Sequence, residues 1–460
     1  MSRKLWSFLA CALFAAAPGL AQAECMAPDE WFAGATVPEP LNTEPRRGEE
    51  CEFYQRAWQH FLYATQGDLD NPAFISYPSY TDVFGEDRRA GLFASVDIKA
   101  HAGPHIMSLA PRLMKSKQAN NAEDILQAGS NQLLIDQNGH PIFYNIFMNK
   151  AFANLIETKK YNTAELQKAD PKEELPAGVV EFKAAWQIVD EKSPPTDRIV
   201  VVANVPWLIA DPKKPGKLIV DDTRKLRQVS VALIGLHVVF VTDEHPEMIW
   251  ATFEYDRNAP SSAGNPTAVD ASYCQNSEEP KDDTIVADDQ PYMLYQTGAQ
   301  GSDVNQKPQS ITVTDDAMQV FAVTPKTSIA RAFPFSSCAP GFNPNIAVTG
   351  LDEDVFDLNK SVRSKNKKPW LSSYSMVGTV WMDEPRNPNE GLAFEEGQAL
   401  DYFQLRGENR LSSVSMESFT QMNSPNCFSC HDTNSKGKLG PMRISVSHMF
   451  RRFSLTLPDQ

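Results

Sequence analysis

Beyond its first 23 residues, the sequence lacks an apolar run that could cross a bilayer. The best candidate, residues 229–241, has 13 residues, whereas a membrane-spanning helix needs ~20. We therefore expect no membrane span in the mature chain once a leader has been removed.

The sequence also lacks the short motifs of nucleotide-dependent and hydrolytic enzymes. It contains no G-x-G-x-x-G, no Walker loop, no G-x-S-x-G and no H-E-x-x-H. These two enzyme classes therefore have no positive support in the sequence.

Positive charge is scarce, with 43 Lys and Arg residues against 58 Asp and Glu. Removal of a leader that contains Arg3 and Lys4 leaves 41 basic and 58 acidic residues, a net charge of −17. Nucleic acids and anionic lipids repel such a protein. We expect neither as a partner.

The first 23 residues have the pattern of a secretory signal peptide. Two basic residues precede an apolar run from Leu5 to about Leu20, and Ala21-Gln22-Ala23 is a typical cleavage site. A lipoprotein signal at Cys11 is the alternative, but the apolar run continues well past that cysteine. We expect a periplasmic or secreted protein whose mature chain starts near Glu24.

One pentapeptide, Cys427-Phe428-Ser429-Cys430-His431, carries the clearest chemistry. It is the C-x-x-C-H attachment signature of a c-type haem. Cys427 and Cys430 can each form a thioether with a porphyrin vinyl group, and His431 can then bind the iron as proximal ligand. Because Pro425 and Asn426 precede it, we expect the motif to open a helix.

Two other chemistries use a C-x-x-C pair. Zinc is disfavoured, because adjacent Cys430 and His431 cannot easily close on one tetrahedral ion and no second C-x-x-C occurs. A thioredoxin-like motif should lie inside a βαβ unit, yet only 29 residues follow His431. Haem c is attached outside the cytoplasmic membrane, so the motif and the signal peptide support each other. We expect one covalent haem c as the cofactor.

The distal iron ligand is open between several residues after the motif. His448, Met442 and Met449 are candidates, and His448 lies 17 residues past His431. Two glycines and a proline in between would let the chain return over the opposite haem face. We favour His448 as the distal ligand, and Met442 is the runner-up. A ligand from the body and an open site are the remaining alternatives. Two histidine ligands predict a low reduction potential, and Met442 would raise it.

Four cysteines remain after the signal peptide and the haem motif are set aside. They allow three pairings, and we expect Cys25–Cys51 and Cys274–Cys338, because each closes a moderate loop within one region. Each bridge is worth ~2–4 kcal/mol of stability. Buried free thiols are the alternative.

The periodicity predicts an α+β fold with a β-rich body, peripheral helices and a short α-helical C-terminal haem c segment. We expect a signal peptide at residues 1–23, the body at 24–420 and the haem segment at 421–460, with a weak boundary in polar residues 257–310. An Asn138-Gly139 pair predicts a type I′ hairpin turn between residues 133 and 144. Helical spacing predicts helices at residues 51–66, 150–161 and 411–422. Runs of β-branched and aromatic residues predict strands at 179–189, 199–202, 229–241, 248–253, 311–324, 374–382 and 399–405.

The other histidines favour structural interpretations. His60 lies beside the apolar face of a predicted helix and is expected to be a histidine at the edge of the core. His237 lies in an apolar run and is expected to be a core histidine with satisfied hydrogen bonds. His101 and His105 form an H-x-x-x-H pair, but a glycine and a proline between them disfavour a metal site on one helix face.

Several stretches resemble a family of secreted bacterial proteins known as "cytochrome c family protein". The resemblance implies one large body fused to one haem, and it implies no reaction and no catalytic residue. Apart from the C-x-x-C-H itself, the stretches are Leu134–Gly139, Phe182–Trp186, Leu233–His237, Ile249–Glu254 and Ser413–Gln421.

Two functions are consistent with these features. The first is electron transfer through one six-coordinate haem to a redox partner protein. The second is a haem c enzyme, peroxidase- or oxidase-like, whose body forms a pocket over an open iron. A haem-based sensor is a third, weaker alternative.

The segment from residue 421 onward is basic. It contains five basic and two acidic residues, a net charge of +3. This charge suits either an acidic redox partner or docking of the tail on its own acidic body.

Overall fold

The computed structural model describes ten stretches of the chain. They are residues 24–46, 49–84, 107–111, 133–262, 285–333, 348–382, 405–408, 411–421, 427–431 and 442–454. The predicted signal peptide, the His101–His105 pair and the predicted Cys274–Cys338 bridge lie outside these residues.

β-Strands dominate the described residues, as the sequence predicts. The strands are β1 (Gly67–Asp68), β2 (Asn71–Pro72), β3 (Met107–Ser108), β4 (Ala110–Pro111), β5 (Ile142–Met148), β6 (Val180–Ile188), β7 (Val200–Val205), β8 (Trp207–Ala210), β9 (Leu218–Asp221), β10 (Arg227–Phe240), β11 (Ile249–Tyr255), β12 (Ser261–Ser262), β13 (Ile285–Val286), β14 (Ser310–Asp315), β15 (Val320–Thr324), β16 (Tyr374–Met382) and β17 (Leu405–Gly407).

The helices are fewer and lie around the strands. The α-helices of the described residues are α1 (Glu30–Ala33), α2 (Glu50–Ala64), α3 (Tyr80–Phe84), α4 (Lys150–Lys159), α5 (Val348–Lys365) and α6 (His448–Ser454). Short 3₁₀ helices lie at Ala73–Ser76, Ala164–Lys168, Gly301–Asp303, Pro369–Ser373, Cys427–Ser429 and Arg443–Val446. Within the described residues, no helix is long and apolar enough to cross a membrane.

A nine-stranded sheet forms the centre of the body. Its main path runs in the order β17-β16-β11-β10-β6-β5-β4, with antiparallel pairing throughout, and the short β3 pairs parallel to β7. The 14-residue β10 holds it together: its first part pairs with β7, its last part pairs with β11, and its other edge pairs with β6. The remaining strands form small two-stranded units.

Helices α2 and α5 cover the first face of this sheet. Trp58 and Phe61 of α2 contact Phe253 of β11, with ring centroids 4.9 and 4.4 Å apart. The predicted disulfide between Cys25 and Cys51 is confirmed and ties the start of the described chain to α2.

The second face of the sheet is covered by α3, α4 and the C-terminal segment. Phe450 of α6 packs on Phe152 of α4 at 5.5 Å between ring centroids. Phe428 of the C-x-x-C-H motif is buried in the same apolar cluster, beside Val239 and Trp250 of the sheet. The predicted haem segment and the body therefore share one core.

The predicted helix at residues 411–422 is wrong for the residues described. Residues 411–421 form successive turns that we call the strap. Ser413 Oγ accepts hydrogen bonds from the backbone amides of Ser415 and Met416, and a Glu417 carboxylate oxygen accepts one from the amide of Ser413. Local side-chain acceptors of this kind compete with helical hydrogen bonds.

The predicted type I′ turn is also wrong, although a tight turn is present. The Gly139 amide donates to the Asp136 carbonyl at 3.1 Å. Gly139 has φ of +87°, but Asn138 is not among the non-glycine residues with positive φ. Asp136 Oδ1 accepts from the amides of Asn138 and His140, which fixes this different turn.

Candidate haem-binding site

The C-x-x-C-H motif forms one compact turn on the second face of the sheet. The amides of Cys430 and His431 donate to the Cys427 carbonyl at 3.1 and 2.9 Å. Both cysteines are free of disulfides. Burial raises the pKa of the Cys427 thiol well above its ordinary value. One turn therefore carries both cysteines and His431. The motif opens with a 3₁₀ turn where the sequence predicts the start of a helix, and residues 432–441 lie outside the description.

The His431 ring is held through its Nδ1 atom. This atom lies 2.6 Å from the Val446 carbonyl oxygen, so the ring donates there and its Nε2 atom keeps the lone pair. Burial lowers the pKa of His431 well below its ordinary value, which makes the imidazole neutral. A neutral ring with Nδ1 bound to a carbonyl is the usual state of a metal-ligating histidine.

His448 is held in the same way by a different acceptor. It is the first residue of α6, and its Nδ1 lies 2.6 Å from Oε1 of Glu181, a residue of β6. Burial lowers the pKa of His448 well below its ordinary value. Burial also raises the pKa of Glu181 to about 7, although hydrogen bonds from the α6 segment oppose this shift.

The structure brings the predicted proximal and distal histidines into direct contact. The ring centroids of His431 and His448 are 4.3 Å apart, in an edge-to-face arrangement. Trp250 of β11 lies against both, with centroids 4.4 Å from His431 and 5.3 Å from His448. Met442 and Met449 are buried in the same apolar cluster.

The donor set fits a covalent haem. Two cysteines without a disulfide and two neutral imidazoles lie together, and each imidazole has Nδ1 engaged and Nε2 left for iron. Because the two rings contact each other, they must move apart to bind one iron from opposite sides. Among the described residues, no group of three or more His, Cys, Asp or Glu side chains could hold a bare metal ion.

A buried polar cluster adjoins the two histidines on the same face of the sheet. We define it as Lys183, His237, Thr252 and Glu417. His237 of β10 stands opposite Lys183 of β6 and Thr252 of β11 in the strand register. Its Nδ1 lies 2.9 Å from Thr252 Oγ1, and its Nε2 lies 3.3 Å from Oε1 of Glu417 in the strap. Burial acts to raise the pKa of Glu417, but its interactions with His237, Lys183 and the Ser413 amide outweigh burial and lower the pKa to about 2.

The prediction that His60 and His237 belong to the core or its edge is confirmed. His60 and His237 are buried, and His237 has a partner on each ring nitrogen. The sequence prediction missed Glu181, Lys183, Trp250 and Glu417. One feature of the sequence could have indicated Glu181 and Lys183. These two charged residues alternate with apolar residues inside a predicted core strand.

The arginines of the tail face the body. Arg443 forms an ion pair with Glu174, Arg451 is buried, and the guanidinium of Arg452 lies 4.1 Å from the centre of the Tyr80 ring. These three contacts favour docking of the tail on its own body over a free basic surface. The other two basic residues of the tail, Lys436 and Lys438, lie outside the described residues.

Comparison with protein-family models, curated proteins and solved structures gives no match. The family resemblance therefore stays a prediction from the sequence. Three of its stretches lie on the central strands that carry Lys183, His237 and Trp250.

Proposed function

We propose that the chain is an exported c-type cytochrome with one covalent haem, and that it transfers electrons. Cys427 and Cys430 would form the thioethers, His431 would bind iron as proximal ligand, and His448 would bind it as distal ligand. The observation that carries this proposal is the contact between two buried neutral imidazoles, each held through Nδ1, in a site that also contains two cysteines without a disulfide.

The residues of the site have separable roles. When bound, the haem supplies a one-electron couple, and the protein supplies ligation, orientation and exclusion of water. Val446 and Glu181 orient the two imidazoles so that Nε2 of each is the ligating atom. Trp250 and Phe428, 1% and 0% exposed, keep water from the rings. Two imidazole ligands favour a low reduction potential.

Export has support that does not depend on the haem. The Cys25–Cys51 disulfide suits an oxidising compartment, and the first 23 residues have the pattern of a signal peptide. A periplasmic or secreted location and a redox partner protein belong to this proposal. The tail arginines are engaged by the body, so they give little support to an acidic partner.

A haem enzyme with an open iron site is the second candidate. The buried polar cluster favours it, because ionisable groups with perturbed pKa values concentrate at catalytic sites. In this case His448 does not bind iron, and His237 and Glu417 are the proton-transferring pair.

The first experiment tests haem attachment. The chain is produced in a host that matures c-type cytochromes, and the denatured protein is assayed for thioether-bound haem. We expect one haem per chain. We also expect weaker attachment in Cys427→Ser and Cys430→Ser and no covalent pigment in the double variant. Denatured wild-type protein without bound pigment overturns the whole proposal.

The second experiment separates the two functions. We expect the wild-type visible spectrum to be that of a six-coordinate low-spin haem that binds added CO slowly or not at all. His448→Ala should change the ferric and ferrous spectra and bind CO rapidly, whereas Met442→Ala should leave the ligation unchanged. Rapid CO binding by the wild-type protein favours the enzyme, and an unchanged His448→Ala spectrum removes His448 as the ligand.

A further inference from the structure

Glu181 is an acidic residue in the middle of an apolar row. In the strand register it stands opposite Met148 of β5 and Val239 of β10. Its neighbours Val180 and Phe182 point to the first face of the sheet and join the core there. The Glu181 side chain is 0% exposed. A buried carboxylate at such a position is costly, so its retention requires a compensating interaction.

That interaction is with the first residue of α6. Oε1 of Glu181 accepts a hydrogen bond from His448 Nδ1 at 2.6 Å and a second one from the His448 backbone amide at 3.0 Å. The first bond fixes the tautomer and the direction of the ring, and the second fixes the start of the helix that carries it. The bond from Nδ1 becomes charge-assisted, and therefore stronger, when Glu181 is ionised.

The two imidazoles therefore differ in their acceptors. His431 donates to the neutral carbonyl of Val446, whereas His448 donates to a carboxyl group. A carboxylate acceptor makes the imidazole a stronger electron donor to a metal than a carbonyl does, because it draws the Nδ1 proton away from the ring. A stronger donor stabilises ferric over ferrous iron.

We propose that Glu181 is the positioning residue for His448: it fixes Nε2 as the iron-binding atom, holds the ring against displacement and lowers the reduction potential. This inference rests on the proposed function, since it takes His448 as the distal ligand. Glu181, a residue of the body, would thereby control the reduction potential of a haem attached to the C-terminal segment.

The test compares Glu181→Gln with Glu254→Gln in haem-loaded protein. Both substitutions remove one buried carboxyl group from a central strand, but Glu254 is bonded to Arg331 and Ser413 and not to His448. We expect Glu181→Gln to shift the ferric–ferrous equilibrium toward ferrous by about tenfold, which is about 59 mV for one electron. We also expect added imidazole or cyanide to displace His448 about tenfold faster. Glu254→Gln should leave the displacement rate close to that of the wild type.

The outcomes separate this inference from the proposed function. If His448→Ala changes the wild-type spectrum but Glu181→Gln alters neither the potential nor the displacement rate, the role of Glu181 is overturned and the function stands. If both glutamine variants speed displacement equally, a general loss of packing replaces the specific role. If Glu181→Gln fails to fold, Glu181→Asp is the second variant. It keeps the carboxyl group, but its side chain is one methylene shorter, so the oxygen lies farther from His448 Nδ1. It should then show faster displacement with a smaller change in potential, and wild-type behaviour of this variant also overturns the inference.

Discussion

His60 and His245 are both buried, yet their neighbours move their proton affinities in opposite directions. Burial, with a smaller effect of Arg56, lowers the pKa of His60 to about 3. His245 is clamped by two carboxylates, with Nε2 2.8 Å from Glu44 and Nδ1 2.7 Å from Glu247. Burial acts against its charge, but Glu247 and Glu44 outweigh it and raise the pKa to about 10. At neutral pH, His245 is therefore cationic and His60 is neutral.

We expect the His245 clamp to make the folded state sensitive to alkaline pH. The folded-state pKa of about 10 lies above the ordinary value of 6.5. The stabilisation is therefore fully present below about pH 6.5 and is lost as the pH rises through about 10. Its size is on the order of a few kcal/mol. Urea unfolding of wild type and His245→Asn between pH 6 and pH 10 measures it as a difference that shrinks with rising pH.

His60→Asn serves as the control, because the pKa of His60 is shifted in the opposite direction to that of His245. The folded-state pKa of His60 lies below the ordinary value. Its contribution is therefore present above about pH 6.5 and is lost as the pH falls toward 3. A stability difference between wild type and His245→Asn that stays constant from pH 6 to pH 10 contradicts the clamp.

At the scale of elements, the strap depends on a glycine in the central strand. A Cβ atom at Gly235 of β10 would lie 2.4 Å from Ser415 Oγ and 3.4 Å from the terminal methyl of Met416. The strap can therefore approach the sheet only where β10 has no side chain. Ser413 Oγ, 2.6 Å from Oε1 of Glu254, and Tyr144, whose hydroxyl donates to the Ser415 carbonyl at 2.7 Å, hold it there.

We expect Gly235→Ala to push the strap away from the sheet and to lower the free energy of unfolding by ~1–3 kcal/mol, as overpacking of a core does. Gly34→Ala is the matched control, because a Cβ there would meet its nearest atom at an ordinary 3.5 Å. Urea unfolding measures both. Equal stability of the two variants would show that the strap tolerates the added methyl group.

The elements show why some of the structure was predictable and some was not. Strands β6, β10 and β11 were predictable, because β-branched and aromatic residues fill them. The strap has helical spacing, but its serine side chains bind the local backbone and prevent a helix. Cys427, Cys430 and His431 are singled out by five consecutive residues, and their role as haem ligands stays a prediction. Glu181 was not, because its bond to His448 joins residues 267 positions apart.

At the scale of the whole molecule, the tail is part of the body. Arg443 is 8% exposed, forms an ion pair with Glu174 and donates its amide to the Pro171 carbonyl at 3.1 Å. Phe453 of α6 packs on Phe84 of α3, with ring centroids 4.7 Å apart. The tail is therefore held by charge at one point and by apolar contact at another.

We expect Arg443→Gln to loosen the tail, because it leaves the Glu174 carboxylate without its partner. The loss should be ~1–3 kcal/mol, since the arginine is nearly buried. Limited proteolysis should then cut the tail earlier than in the wild type, with the rest of the chain intact. Lys168→Gln is the control, because it breaks an ion pair with Glu165 at the surface. The Lys168 and Glu165 side chains are 71% and 49% exposed, so this substitution should have little effect on tail cleavage. Equal cleavage rates for wild type and Arg443→Gln would contradict this role.

The order of residues along the chain has a consequence for biosynthesis. The strands that contact His431 and His448 are complete by Tyr255, whereas the cysteine-bearing turn begins at Cys427. During translation, the strands that contact the two histidines therefore emerge long before the turn that docks on them. Every residue proposed to bind the cofactor lies at or after Cys427, so a chain terminated before this turn would keep these strands and lose all of its proposed ligands.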